Sequence, residues 1–90
     1  MEGLIEGRIV HYVLENGPSR GEHRPAIIVK VWEAHREQGT INLQVFTDGN
    51  NDVDPREPQS VSYGKGIAWA TSVPYSEEPK PRTWHWIERA

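Results

Sequence analysis

Ala26-Ile27-Ile28-Val29-Lys30-Val31-Trp32 decides the fold class. β-Branched residues dominate this stretch; they lose side-chain freedom in a helix and pack well on a pleated surface. Read with a period of two, Ile27, Val29 and Val31 share one face while Lys30 and Trp32 take the other, so the odd-numbered face is the expected core face.

The pattern repeats on both sides. Downstream, Thr40-Ile41-Asn42-Leu43-Gln44-Val45-Phe46-Thr47 alternates Ile41, Leu43 and Val45 against Asn42, Gln44 and Phe46. Upstream, Arg8-Ile9-Val10-His11-Tyr12-Val13-Leu14 reads as a strand closed by the turn residues Glu15-Asn16-Gly17-Pro18. Ser19 to Pro25 reads as a loop, because it is polar and ends in a residue that cannot donate to a ladder. Glu33 to Gln38, stopped by Gly39, is too short for a stable helix and is expected to be a loop. Gly66 to Val73 forms a further strand with Ile67, Trp69 and Val73 on one side and small residues on the other. Thr83-Trp84-His85-Trp86-Ile87 is a short last strand whose two Trp share a face. Asp48 to Ser60 is a long polar excursion over the surface.

Four or five short strands with these connections predict a mainly β protein, either a small SH3-like partly open barrel or a five-stranded antiparallel sheet that dimerises through its Trp face. Residues 1–90 make a single domain, and a chain this short buries only roughly 60 to 65% of its unfolded surface, so a homo-oligomer is expected to help it. There are no cysteines, which excludes thiolate nucleophiles, disulfides and cysteine-based metal sites and fits a cytoplasmic location. The net charge of −3, with Arg and Lys dispersed among acids, gives no basic block for a nucleic acid polymer. Apolar runs are too short for a membrane span, so no membrane partner is expected.

Local motifs for chemistry are weak. Asp48-Gly49-Asn50-Asn51-Asp52-Val53-Asp54 alternates oxygen side chains, but Val53 and Gln59 stand where a calcium loop needs Gly and Glu, and an Asx-rich turn explains it better. His11, His23, His35 and His85 lack short ligand spacing, so no metal is expected. Ser72 and Ser76 have neither a nucleophile elbow nor a glycine-rich oxyanion loop, and Gly64-Lys65-Gly66 reads as a hairpin turn and not a phosphate loop. The expectation is therefore no enzyme, no catalytic residue and no cofactor. What stands out is a distributed set: His23 and Arg24, then Asp48, Asn51 and Asp52, then Tyr75, Trp84, His85 and Trp86. Indoles stack a base, Arg and His donate to phosphate oxygens, and Asn or Asp reads a ribose or base edge, so the set predicts a pocket for a small nucleotide-type ligand. The competing reading is that the Trp complete a thin core or a subunit contact.

His23-Arg24-Pro25-Ala26-Ile27-Ile28-Val29, Asn42 to Gly49 and Ser72 to Pro79 through Trp84-His85-Trp86 together resemble a group of small tailed-phage proteins; the span Val53 to Lys65 lies outside the pattern. The resemblance implies a phage or prophage product acting in the infected host cell and carries no chemistry of its own. With the residue reading it leads to the expectation of a non-enzymatic binding protein that sequesters a nucleotide-derived immune signal and so counteracts host defence. The alternative is a virion-associated or host-protein-binding module that docks through its Trp-rich face and Pro79-Lys80-Pro81.

Overall fold

A computed structural model describes residues 1–54, 56, 62–64 and 66–88. The chain is mainly β. Its strands are β1 (Ile9–Val13), β2 (His23–Val31), β3 (Ile41–Phe46), β4 (Ser62–Gly64), β5 (Ile67–Val73) and the two-residue β6 (Trp84–His85). They form one antiparallel sheet in the order β4-β5-β3-β2-β1-β6. Among the described residues no pairing joins β4 to β6, so the sheet stays open. No helix is long and apolar enough to cross a membrane among the described residues.

β2 starts earlier than the sequence suggests, at His23, and takes in Pro25. Ile28 N–H donates to Arg8 O, so in the first part of β2, up to Ile28, even-numbered amides face β1 and odd-numbered ones face β3. Pairing with β3 begins only at Ala26↔Val45, and the missing N–H of Pro25 therefore interrupts no rung of that ladder.

Two irregularities overturn the expected faces. In β2, Ile28 pairs with Leu43 and Lys30 with Asn42, leaving Val29 as an extra residue. Ala26 and Ile28 before this bulge, and Val31 after it, face the core, while Val29 is exposed. The freed amide of Val31 donates to Glu6 Oε2 at 2.9 Å. In β5, Thr71 and Ser72 oppose Asn42 alone, Ser72 adopts φ 51°, and its N–H donates to Asn42 Oδ1 at 2.8 Å. The same oxygen accepts Trp32 Nε1–H at 2.9 Å, so the buried Asn42 side chain serves both strands. The small side of β5 is consequently the core side: Ala68 and Ala70 are buried with Val73, while Ile67 and Trp69 are exposed.

The core unites Val10, Tyr12, Ile28, Leu43, Val45 and Trp84 with Leu4 from the N-terminal lead. Trp84 is fully buried and its Nε1–H donates to Gly39 O at 2.6 Å. Burying an indole of about 200 Å² stabilises the fold by roughly 5 kcal/mol before entropy is counted. Glu33–Gln38 forms a 3₁₀ helix, closed by Gly39 at φ 70°, where the sequence suggested a loop. A Cβ on Gly39 would lie 2.9 Å from Tyr75 Cβ and 3.2 Å from Trp84 Cζ2, which is why the turn can press against the indole.

Candidate metal centre on the outer face

Side chains alternate across a strand, so Ile9 and His11 of β1 point away from the core that receives Val10 and Tyr12. Antiparallel register sets what lies beside them. His11 is paired with His85 on one side and Pro25 on the other, and His23 follows diagonally from Pro25 on β2. Three histidines distant in sequence thus meet at one corner of the outer face. Their rings stack edge to face, with centroids 4.6 Å apart for His23 and His85, 5.9 Å for His11 and His85, and 6.1 Å for His11 and His23.

Glu88, three residues past His85, folds back onto all three. Its Oε2 lies 2.7 Å from His11 Nδ1, its Oε1 lies 2.8 Å from His23 Nδ1, and Oε1 also contacts His85 Nε2. One ligand atom from each of the four residues falls within 4.8 Å of every other. Tetrahedral bonds of about 2.0 to 2.2 Å set donors about 3.3 to 3.6 Å apart, so the group needs to close by only about an ångström to hold a metal. Three imidazoles and one carboxylate, without thiolate, suit first-row divalent ions such as zinc or iron(II). Desolvation opposes charge on Glu88, yet hydrogen bonds from His11 and His85 outweigh it and hold the carboxyl at about 2, so it is an anion at neutral pH. His85 is buried and its Nδ1 has no hydrogen-bond partner among the described residues. The described residues therefore supply this ring with none of the outer partners that usually orient a metal-bound imidazole through its second nitrogen.

The residues expected to share one nucleotide pocket are divided among three places. His23 and His85 belong to the corner just described. Arg24, one residue on, points the other way and grips Asp52 bidentately, with Nε 2.8 Å from Oδ2 and Nη2 2.7 Å from Oδ1. Asp52 is fully buried at the end of a 3₁₀ turn, Gly49–Asp52, and also accepts the Asp48 amide at 2.6 Å. Arg24 foremost lowers the Asp52 carboxyl to about 2. This ion pair pins the loop to β2, so neither partner presents a free charge to a ligand, and the calcium-like spacing is a turn. Among the described residues the side chain of exposed Asn51 bonds to Asp48 Oδ2, at 3.3 Å, at the start of that turn.

The third place is the core. Trp84 is covered by Tyr75 and Trp86, each with its ring centroid 5.0 Å away. Trp84 therefore offers no face to a ligand, correcting its assignment as a stacking wall, and half-buried Trp86 carries Arg8 over its ring at 5.0 Å. The exposed indoles are Trp32 and Trp69 instead. Trp69 stands in a cross-strand row, Ile9–Ile27–Gln44–Trp69, which pairs on to Ser62 of β4, on the outer face beside Phe46 and Ile67. A shallow depression lined by Trp32, His35, Thr40 and Ser72 opens at the far end.

His11 and Glu88 lie outside the site set expected from the sequence, and the expectation of no metal rests on linear spacing, whereas the sheet register brings these four groups together. The pair His85 and Glu88, three apart, was the available signal. Comparison with protein-family models, with curated proteins and with solved structures finds no match for the chain.

Proposed function

We propose that this chain is a metal-binding protein whose working centre is His11, His23, His85 and Glu88. The observation that carries the reading is the convergence of four donor atoms, drawn from β1, β2, β6 and the segment after it, to within 4.8 Å of one another. A carboxylate that merely accepts imidazole hydrogens needs no such tripod. Ligation by three imidazoles and one carboxylate leaves a divalent ion with a net charge of about +1, counting the imidazoles as neutral.

The expected role in sequestering a nucleotide-type signal moves to this centre. A phosphate of such a molecule binds a cation better than it binds an Arg24 already committed to Asp52. Self-association through the apolar outer face, and action in a phage-infected cell, belong to the same proposal. Non-enzymatic capture requires that the molecule be recovered unchanged, and an altered product would redirect the reading to metal-assisted chemistry.

The test is direct. Chelator-stripped protein is dialysed against zinc and the bound metal measured beside His23→Ala and His35→Ala. One zinc per chain is expected for the native protein and for His35→Ala, whose imidazole lies outside the cluster. Loss of about 100-fold or more in affinity is expected for His23→Ala, since even outer-shell partners cost 10- to 100-fold. Equal binding by all three proteins would end the proposal.

A further inference from the structure

Two parts of the centre are held very differently. His11 and His85 are paired residues of β1 and β6, and His23 stands diagonally on β2, so their backbones are fixed by ladders. Their side chains are 24%, 7% and 29% exposed, and the rings brace one another edge to face. Glu88 belongs to no strand, lies beyond β6, and is 46% exposed. Among the described residues its side chain bonds to the three histidines and otherwise to its own backbone, and to no other residue. Removing it from the centre therefore breaks no other hydrogen bond there, whereas moving any one histidine disturbs a strand.

From this asymmetry we propose that the three histidines hold the metal permanently while Glu88 is an exchangeable fourth ligand, displaced by an oxyanion of the phosphate or carboxylate class that arrives from solvent. The inference rests on the metal-binding reading above and adds to it which coordination position is open and what fills it. Exchange is balanced in charge: the Glu88 carboxylate leaves the ion as the incoming oxyanion bonds to it, and no proton or electron need move. Three neutral imidazoles leave the full charge of a divalent ion uncompensated once Glu88 departs, so an anion is favoured over a neutral donor. The approach is open on the outer face, where exposed Pro25 lies between His11 and β3 and presents no charge to repel an anion. Tethered Glu88 acts as an internal competitor. If it leaves the position open for about a tenth of the time or less, its removal raises the apparent affinity for the oxyanion about tenfold or more.

Cobalt(II) serves as the probe, because its visible spectrum reports the ligand set. The full chain, Glu88→Gln and Glu88→Ala are loaded with cobalt and titrated separately with inorganic phosphate and acetate, with circular dichroism confirming that each variant is folded. Native protein is expected to load cobalt and to change spectrum saturably with at least one anion. Both Glu88 variants are expected to load cobalt as well, and to bind that anion about tenfold more tightly. A response to phosphate alone assigns the position to phosphoryl oxyanions, and a response to both assigns it to oxyanions generally. Absence of any cobalt spectrum in the native chain would remove the metal centre itself. A cobalt spectrum that neither anion changes, or one present in the native chain but lost in folded Glu88→Gln and Glu88→Ala, would leave the centre standing and overturn the exchange.

Discussion

Replacing Asp52 with Asn keeps an oxygen for the Asp48 amide but withdraws the charge that Arg24 grips at 2.7 and 2.8 Å. Two routes give the size of the effect. The carboxyl lies at about 2 against an ordinary 3.8, and a depression of this size corresponds to about 2 kcal/mol of stability at neutral pH. Stranding one member of a buried pair costs about 3 to 5 kcal/mol, and the lower end applies because Arg24 keeps bonds to His23 O at 3.0 Å and to Glu22 Oε1 at 3.3 Å. We expect Asp52→Asn to lose about 3 kcal/mol. The pH dependence has a definite sign: a depressed carboxyl contributes fully above its unfolded value, near 3.8, and loses that contribution as pH falls through about 2. Urea denaturation of both proteins, followed by Trp fluorescence from pH 7 down to strongly acidic buffer at constant ionic strength, reads the difference. The gap should hold until pH falls below about 4 and then close toward pH 2. A gap under about 0.5 kcal/mol at neutral pH, or one indifferent to acid, would refute the assignment of this pair as the pin of the loop.

Gly39→Ala places a Cβ against Tyr75 and Trp84 at φ 70°, and should destabilise by about 3 kcal/mol from left-handed strain and overpacking, measured by the same denaturation. In β2, Ile28→Ala should cost about 2 to 4 kcal/mol and Val29→Thr less than about 0.5, and the reverse order would contradict the bulge between Ile28 and Lys30. Zinc at 100 times its dissociation constant should raise the melting temperature by roughly 10 to 20 °C, reversibly with chelator. Because imidazoles must be neutral to ligate, that rise should shrink as pH is lowered, and a rise that grows in acid would exclude histidine ligation.

Five of the six strands were legible because β-branched residues and turn chemistry mark them locally, while the three-residue β4, Ser62–Gly64, was not. Which face is inward was not. Ile27, Ile28 and Val29 are consecutive and all apolar, so a period of two fits either phase, and the bulge that selects one is tied to a distant group, Glu6, which accepts the Val31 amide, as Asn42 accepts the Ser72 amide at the separate irregularity in β5. In β5 the larger residues looked like core, yet the core cluster already holds Trp84 and Tyr12, and it admits Ala68 and Ala70 on the inward face. The competing expectation for the Trp, a thin core, describes Trp84 well. His23 and His85 were singled out from the sequence for donating to phosphate, and they do stand together, although with His11 and Glu88 and not with Arg24 and Trp84. No linear spacing encodes that corner. It arises from two strand pairings, β1 with β2 and β1 with β6, whose register sequence inspection does not provide.

Diffraction from zinc-soaked crystals at the zinc absorption edge tests the metal centre most directly. An anomalous peak is expected about 2.0 to 2.2 Å from ring nitrogens of His11, His23 and His85, with Glu88 or an anion completing the set. Ordered imidazoles around no peak, or a peak seated only on other residues, would contradict it.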